Sequence, residues 1–315
     1  MQRAFILVVV IALLSLQLFV QVDRNEAWLR VALDGSHVPI FAVVAVLVCV
    51  MLRRVDRPGP DGRRYLFAFM LAFAAGVAIE YVQSHTGRPA SLFDVGSNAA
   101  GAAIGLSLLA LYEGARRRVR LNRAVRWMLF GAGIAGLLFA AWRPLEAARA
   151  YLHRATGFPA LVAFGGPLDL YFVATEGLTA EIVDLPEPWA QRPGERALRI
   201  RHGVDRAPAV QVKEPSPDWR GYRTLAVDVT NAGDDEVQLV LRVLDEAHDW
   251  SHEDRFNQSF VVPARTRSTV RFPLDAIGAA PAERPMDLSR IANVMIFGPG
   301  PAVPGEFYVS RLWLE

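Results

Sequence analysis

Apolar stretches long enough to cross a bilayer, separated by loops either rich or poor in arginine, constrain this 315-residue chain more than any other feature. Crossing the hydrocarbon takes roughly 17–25 helical residues. Five segments approach or reach that length: Phe5–Val22, His37–Leu52, Tyr65–Val82, Leu92–Tyr112 and Trp127–Trp142. Within lipid a backbone must satisfy its own N–H and C=O groups, so each is expected to be a transmembrane helix. The first run exceeds the apolar core of a signal peptide. No small-x-small cleavage site follows it before QVDRNEAW, which predicts a retained anchor.

Arginine sets the expected orientation. The loop RRVDRPGPDGRR (53–64) has five arginines and EGARRRVRLNRAVR (113–126) has six, against two in 22–36 and one in 84–91. Cytoplasmic loops carry the excess of positive charge. The expectation is an N-terminus in the cytoplasm, five crossings of the cytoplasmic (inner) membrane, and an extracytoplasmic C-terminal half. Net charge divides in the same place, +8 over residues 1–150 and −6 over 151–315. The basic half is thus the apolar half, which argues against nucleic acid as a partner and for the lipid bilayer. The lone Cys49 lies in an apolar run, where it serves as a small hydrophobe and forms no intramolecular disulfide.

Polar groups crowd where the third span ends and the fourth begins, in IEYVQSHTGRPASLFDVGSNAAG (79–101). Glu80 and Gln83 share one helix face, and Asp94, Asn98, Gly101 and Gly105 form a second stripe. Small residues spaced by four let another helix approach closely. Asp34 and His37, at the head of the second span, fall in the same layer. Two readings stand. Glu80, Arg88 and Asp94 pair as a clasp, with Asp94 also near a helix N-terminus where a carboxylate answers open N–H groups. Alternatively Asp34, His37, Glu80, Gln83, Arg88, Asp94 and Asn98 line an outward-facing ligand site, with Glu80 and Asp94 as acid and base if the chain is an enzyme.

The pattern E-x-x-Q, then G-R, then D-x-x-x-N-x-x-G-x-x-x-G resembles the VanZ family over roughly residues 1–140. Here it is Glu80, Gln83, Gly87–Arg88, Asp94, Asn98, Gly101 and Gly105. Family members often carry Asp-Lys-x-x-His upstream, whereas this chain has Asp34-Gly35-Ser36-His37 and lacks the lysine. The resemblance implies a bacterial cell-envelope protein linked to glycopeptide-antibiotic tolerance, and supplies no reaction.

From about Gly165 the period changes to two. RTLAVDVTNAG (223–233), EVQLVLRVLDE (236–246), NQSFVVPARTRSTVRFPL (257–274) and GEFYVSRLWLE (305–315) alternate apolar and polar residues between turn formers. Short strands of this kind predict an antiparallel β-sandwich over 165–315, joined by a linker at 146–164 to a helical membrane domain at 1–145. HDWSHEDRFN (248–257), RPMDLSRIANVMIFGPG (284–300) and the closing YVSRLWLE resemble a jelly-roll superfamily that includes family 11 carbohydrate-binding modules. That resemblance implies a glycan-binding module. His248, Asp249, Trp250, His252, Asp254 and Arg255 are its candidate residues, with Trp250 stacking on a sugar ring and Asp254 and Arg255 holding hydroxyls. The competing reading is a salt-bridged loop that closes the sandwich. Trp189, Trp219 and Trp313 read as core or edge aromatics.

His248 and His252 lack a third matched ligand, so no metal site is predicted. No cofactor is expected either, a structural calcium on the loop carboxylates being the weaker alternative. G-x-S-x-G, P-loop, H-E-x-x-H and paired-cysteine signatures are missing. The expected function is binding of a lipid-linked or peptidoglycan-related glycan at the outer membrane face. The alternative is acid/base chemistry by Glu80 and Asp94 on such a substrate.

Overall fold

A computed structural model describes residues 2–19, 27–53, 62–85, 91–116, 121–176, 179–202, 209–216, 218–298 and 305–315. They divide into two compact units, Met1–Ala147 and Ala148–Glu315. Arg88 lies outside the described residues.

The first unit is helical: α1 Gln2–Phe19, α2 Ala27–Gly35, α3 His37–Met51, α4 Gly62–Ser84, α5 Leu92–Ala115 and α6 Arg123–Gly157. Among the described residues four helices, not five, are long and apolar enough to span a membrane: Ala27–Met51, 62–84, 92–115 and 123–157. The expected first span is a shorter apolar helix, Arg3–Gln17 within α1. Its Ile6 and Val10 are buried in the bundle core with Phe41, Val44 and Tyr65. The expected second span begins ten residues earlier, because α2 and α3 run on through one turn. Ser36 keeps helical angles and its N–H bonds the Ala32 carbonyl at 3.1 Å. Gly35 and Pro39 explain the break there, since glycine loosens a helix and proline removes a donor.

Helix α5 is the spine of the unit. Ser91 caps it, its Oγ accepting from the Asp94 N–H at 3.3 Å. One face packs on α3 so tightly that a Cβ at Gly101 would strike the Val38 carbonyl, and one at Gly105 the Ala42 carbonyl. The Gly-x-x-x-Gly stripe therefore does what its spacing suggests: it removes side chains so that two backbones can meet.

The second unit is an antiparallel β-sandwich with the end of α6 leading into it, so that residues 146–157 are helix and 160–162 strand. The strands are β1 Ala160–Val162, β2 Val173–Glu176, β3 Thr179–Asp184, β4 Arg196–His202, β5 Ala209–Lys213, β6 Thr224–Asn231, β7 Val237–Asp245, β8 Phe256–Val262, β9 Thr266–Pro273, β10 Ile291–Phe297 and β11 Gly305–Leu314. One sheet has the order β3-β4-β11-β6-β9 with β1 added beside β11. The other runs β2-β5-β10-β7-β8. Most successive strands pass between the sheets, while β3–β4 and β7–β8 are hairpins within one. Alternation puts Leu198, Ile200, Val227, Leu241, Val243, Val294 and Phe307 into one fully enclosed core. A register shift between Val309 and Arg311 makes Ser310 an extra residue in β11. The inward set changes there from Phe307 and Val309 to Leu312 and Leu314.

Candidate functional site

Three helix ends converge at one end of the bundle: the start of α3 with His37, the end of α4 with Glu80 and Gln83, and the start of α5 with Asp94 and Asn98. All five side chains are buried, as is Asp34. The imidazole of His37 lies at its centre, wholly enclosed. Its Nδ1 donates to Asn98 Oδ1 at 2.9 Å, and the other ring nitrogen is Nε2. That nitrogen has no hydrogen-bond partner among the described residues. A ring nitrogen of His37 and one carboxylate oxygen each from Glu80 and Asp94 lie within 4.8 Å of one another.

The remaining members are partly structural. Glu80 Oε2 accepts from the Ser91 N–H at 3.2 Å, tying the end of α4 to the cap of α5. Gln83 donates to the Gln17 carbonyl at 3.1 Å, which docks α1. Asp94 occupies the first turn of α5, where open N–H groups favour a carboxylate. Asp34 accepts from Arg143 Nη1 at 2.9 Å, and that guanidinium also lies 3.7 Å from the centroid of Phe93. Sequence reasoning missed Arg143, although a single arginine ending the apolar run before Pro144 was its signal. Arg64, Tyr65 and Glu113 form a second buried clasp at the other end of α4 and α5, with Tyr65 Oη donating to Glu113 at 2.7 Å. No local spacing announces that pairing.

In the second unit, the six candidates on the β7–β8 loop separate. Asp249, Ser251 and Asp254 build a turn, with the Asp249 N–H donating to Asp254 Oδ2 at 3.0 Å. His248 Nδ1 lies 2.6 Å from the Asp254 carbonyl. Arg284 clamps Asp254 and the buried Asp245 together, donating at 2.9 and 2.7 Å. That guanidinium holds the Asp254 carboxyl below its usual range. These residues close the sandwich. Trp250 stands out at 80% exposure with φ +71°, and His252 is exposed beside it. Arg255, half-buried, takes no part in the clasp, and its Nε has no hydrogen-bond partner among the described residues. Trp219 is fully buried, while Trp313 lies under Arg311 at the sheet surface.

A cleft of about 1260 Å³ opens elsewhere in this unit, lined among others by His153, Asp169, Asp228, Arg267, Ser310 and Trp313. Several of its charges are engaged with one another. Arg267 donates to Glu195 and Asp228 at 2.7 Å each, and His153 pairs with Asp169 at 3.1 Å.

No family model and no curated protein matches the chain. Solved structures match the sandwich region. A family 11 carbohydrate-binding module from Clostridium thermocellum in complex with a β-1,3-1,4-mixed-linked tetrasaccharide is 13% identical over 45% of this chain and 88% of its own, with a TM-score of 0.35. A family 30 carbohydrate-binding module of a Clostridium thermocellum cellulosomal cellulase is 12% identical over 46% and 86%, with a TM-score of 0.32. An exo-β-agarase is 15% identical over 46% of this chain and 23% of its own, at 0.37. Likenesses this distant leave the function of the chain to its own side chains.

Proposed function

We propose that this chain is a VanZ-like membrane protein of the bacterial envelope. Its buried polar cluster receives the head of a lipid-linked or peptidoglycan-related molecule, and its sandwich engages glycan. The observation that carries the reading is a histidine, two carboxylates and two amides buried together at one end of an otherwise apolar bundle. A charged group at mid-membrane costs about 2.5–3.5 kcal/mol. Clasping two helices does not need two carboxylates, a histidine and two amides in one layer, and a ligand site gives them a use. The arginine-rich loops flank the opposite ends of α3, α4 and α5, so the positive-inside rule supports an outward-facing cluster. One further crossing by α6 supports an extracytoplasmic sandwich. Glycopeptide tolerance belongs to this proposal through the VanZ-like motif alone. A structural calcium on the β7–β8 loop is a weaker proposal, since Arg284 already brings positive charge to Asp245 and Asp254.

An enzymatic reading is favoured by one feature, the approach of a histidine nitrogen to two carboxylates within 4.8 Å. The test uses the full chain in liposomes with a fluorescent lipid-linked peptidoglycan precursor. Glu80→Gln and Asp94→Asn keep shape and remove charge. Binding lost with unchanged expression and melting supports the ligand site. Turnover of the precursor by the wild type, lost in both variants with binding intact, supports the enzyme. Melting and expression that fall together with binding would reduce the cluster to a clasp.

A further inference from the structure

The two sheets of the sandwich differ in how far their arginines are paired. On the first sheet, carboxylates answer most of the arginines: Arg199 pairs with Glu181, Arg201 with Glu306 and Arg271 with Glu315, while Arg311 lies over Trp313 without an ion pair among the described residues. Arg267 is held by both Glu195 and Asp228. Opposite charges on adjacent strands form the ordinary stabilising pairs of a sheet.

The second sheet lacks this pattern. Arg242 sits at its middle, in register with Met295 on one side and Asn257 on the other. It faces outward, since its neighbours Leu241 and Val243 are core. Its Nε donates to Asn257 Oδ1 at 2.8 Å and its guanidinium lies 4.6 Å from the centroid of Phe297. Neither group is a carboxylate. Arg255 directly precedes β8, one residue beyond the Val243–Phe256 pair of the β7–β8 ladder. Its Nε has no partner among the described residues, nor has Asn293 Oδ1 on β10. Lys213 is opposite Asn293 across the β5–β10 ladder. None of these three cations has an ion pair among the described residues. Burial, and then the proximity of Arg255, holds Arg242 below its ordinary value. Two guanidiniums left close together without a counter-charge are costly, and a bound anion offsets that cost.

The geometry points to this face as the glycan-binding surface, taking an acidic saccharide whose carboxylate or phosphate is held between Arg242 and Arg255. Arginine presents a planar fork that matches either group bidentately. Phe297 underlies the fork and Asn257 Oδ1 holds it from the neighbouring strand. The inference rests on the proposed glycan-binding role of the sandwich and adds the charge of the ligand and its place.

The test measures binding by the full chain in nanodiscs of zwitterionic lipid at low salt. The probes are tri-galacturonate, a phosphorylated disaccharide, and a neutral galactotriose. Tri-galacturonate or the phosphosaccharide should bind roughly 10-fold or more tightly than the neutral sugar, in keeping with hydrogen bonds to charged groups. Which of the two leads identifies the acid. Salt should weaken this binding, and Arg242→Gln and Arg255→Gln should each reduce it roughly 10-fold. Arg255→Lys, which keeps charge and loses the fork, should fall between. If Arg242→Gln fails to fold, Arg255→Gln decides alone. Equal binding of neutral and acidic sugars, unmoved by either variant, overturns the inference and leaves the glycan reading standing. Binding to none of the three overturns both. Capture by phosphatidylglycerol vesicles with no saccharide binding also overturns it, assigning the face to a lipid surface.

Discussion

Glu195 shows how single residues hold the sandwich. Its carboxylate is held below its ordinary value of 4.5 by the Arg267 hydrogen bonds, against burial that pushes it up. The folded-state pKa is therefore the lower one. The stabilisation is complete above pH 4.5 and drains as pH falls through the folded value. Melting of the full chain in detergent, followed by β-sheet circular dichroism from pH 7 to pH 3, should show the sandwich weakening below that point. Arg267→Gln leaves Glu195 and Asp228 facing each other and should cost about 3–5 kcal/mol at pH 7. Its deficit should shrink on acidification, because protonated carboxyls no longer need the guanidinium. A deficit independent of pH would count against the ion triad. Nothing near Glu195 in sequence advertises Arg267, 72 positions away. The candidates on the β7–β8 loop were adjacent in sequence and so were legible as a group, but adjacency hid that Asp254 and Arg255 face different neighbours.

At the scale of elements, periodicity carried most of the fold. Period-two alternation marked β6, β7, β8, β9 and β11, and the glycine stripe marked the face of α5 that meets α3. Helix α1 was less legible. Its length of apolar sequence resembles a span, yet the helix within it is shorter and its inner side is spoken for by the bundle. The join of α2 to α3 was hidden by Gly35 and Pro39, residues that ordinarily end helices. The α3–α5 contact gives a sharp prediction. Gly101→Val pushes a branched side chain into the Val38 carbonyl and should cost at least ~1–3 kcal/mol. Gly131→Ala, with nothing within 4 Å of an added Cβ, should be neutral. Thermal unfolding of both variants in detergent checks the pair, and equal melting would mean that the helices separate without penalty.

For the whole molecule, charge asymmetry is the informative quantity. Arginine-rich and arginine-poor loops alternate along the helices, and the loop ending at Arg126 leads through α6 toward the sandwich. The proposed topology therefore predicts accessibility. In a Cys49→Ala background, Ser251→Cys should react with a membrane-impermeant maleimide in intact spheroplasts. Asn122→Cys should react only after permeabilisation. Both sites are exposed and so chemically reachable. The reverse pattern would invert the orientation and place the buried histidine and carboxylates on the cytoplasmic side.

The extra residue in β11 bears on how this protein tolerates length changes. A strand is a two-stroke pattern, and removing one residue normally turns everything beyond it inside out. Ser310 is already one stroke too many, since Val309 and Leu312 both point into the core across it. Deleting Ser310 restores an even beat: Val309 in, Arg311 out, Leu312 in. Deleting Val309 or Leu312 instead removes a core side chain and turns Ser310 or Arg311 inward in its place. The chain thus carries one spare position in the middle of a core strand, where evolution or an engineer can shorten it. Soluble yield and melting of the Ser310 deletion, set against those of the other two, would show whether the spare is real.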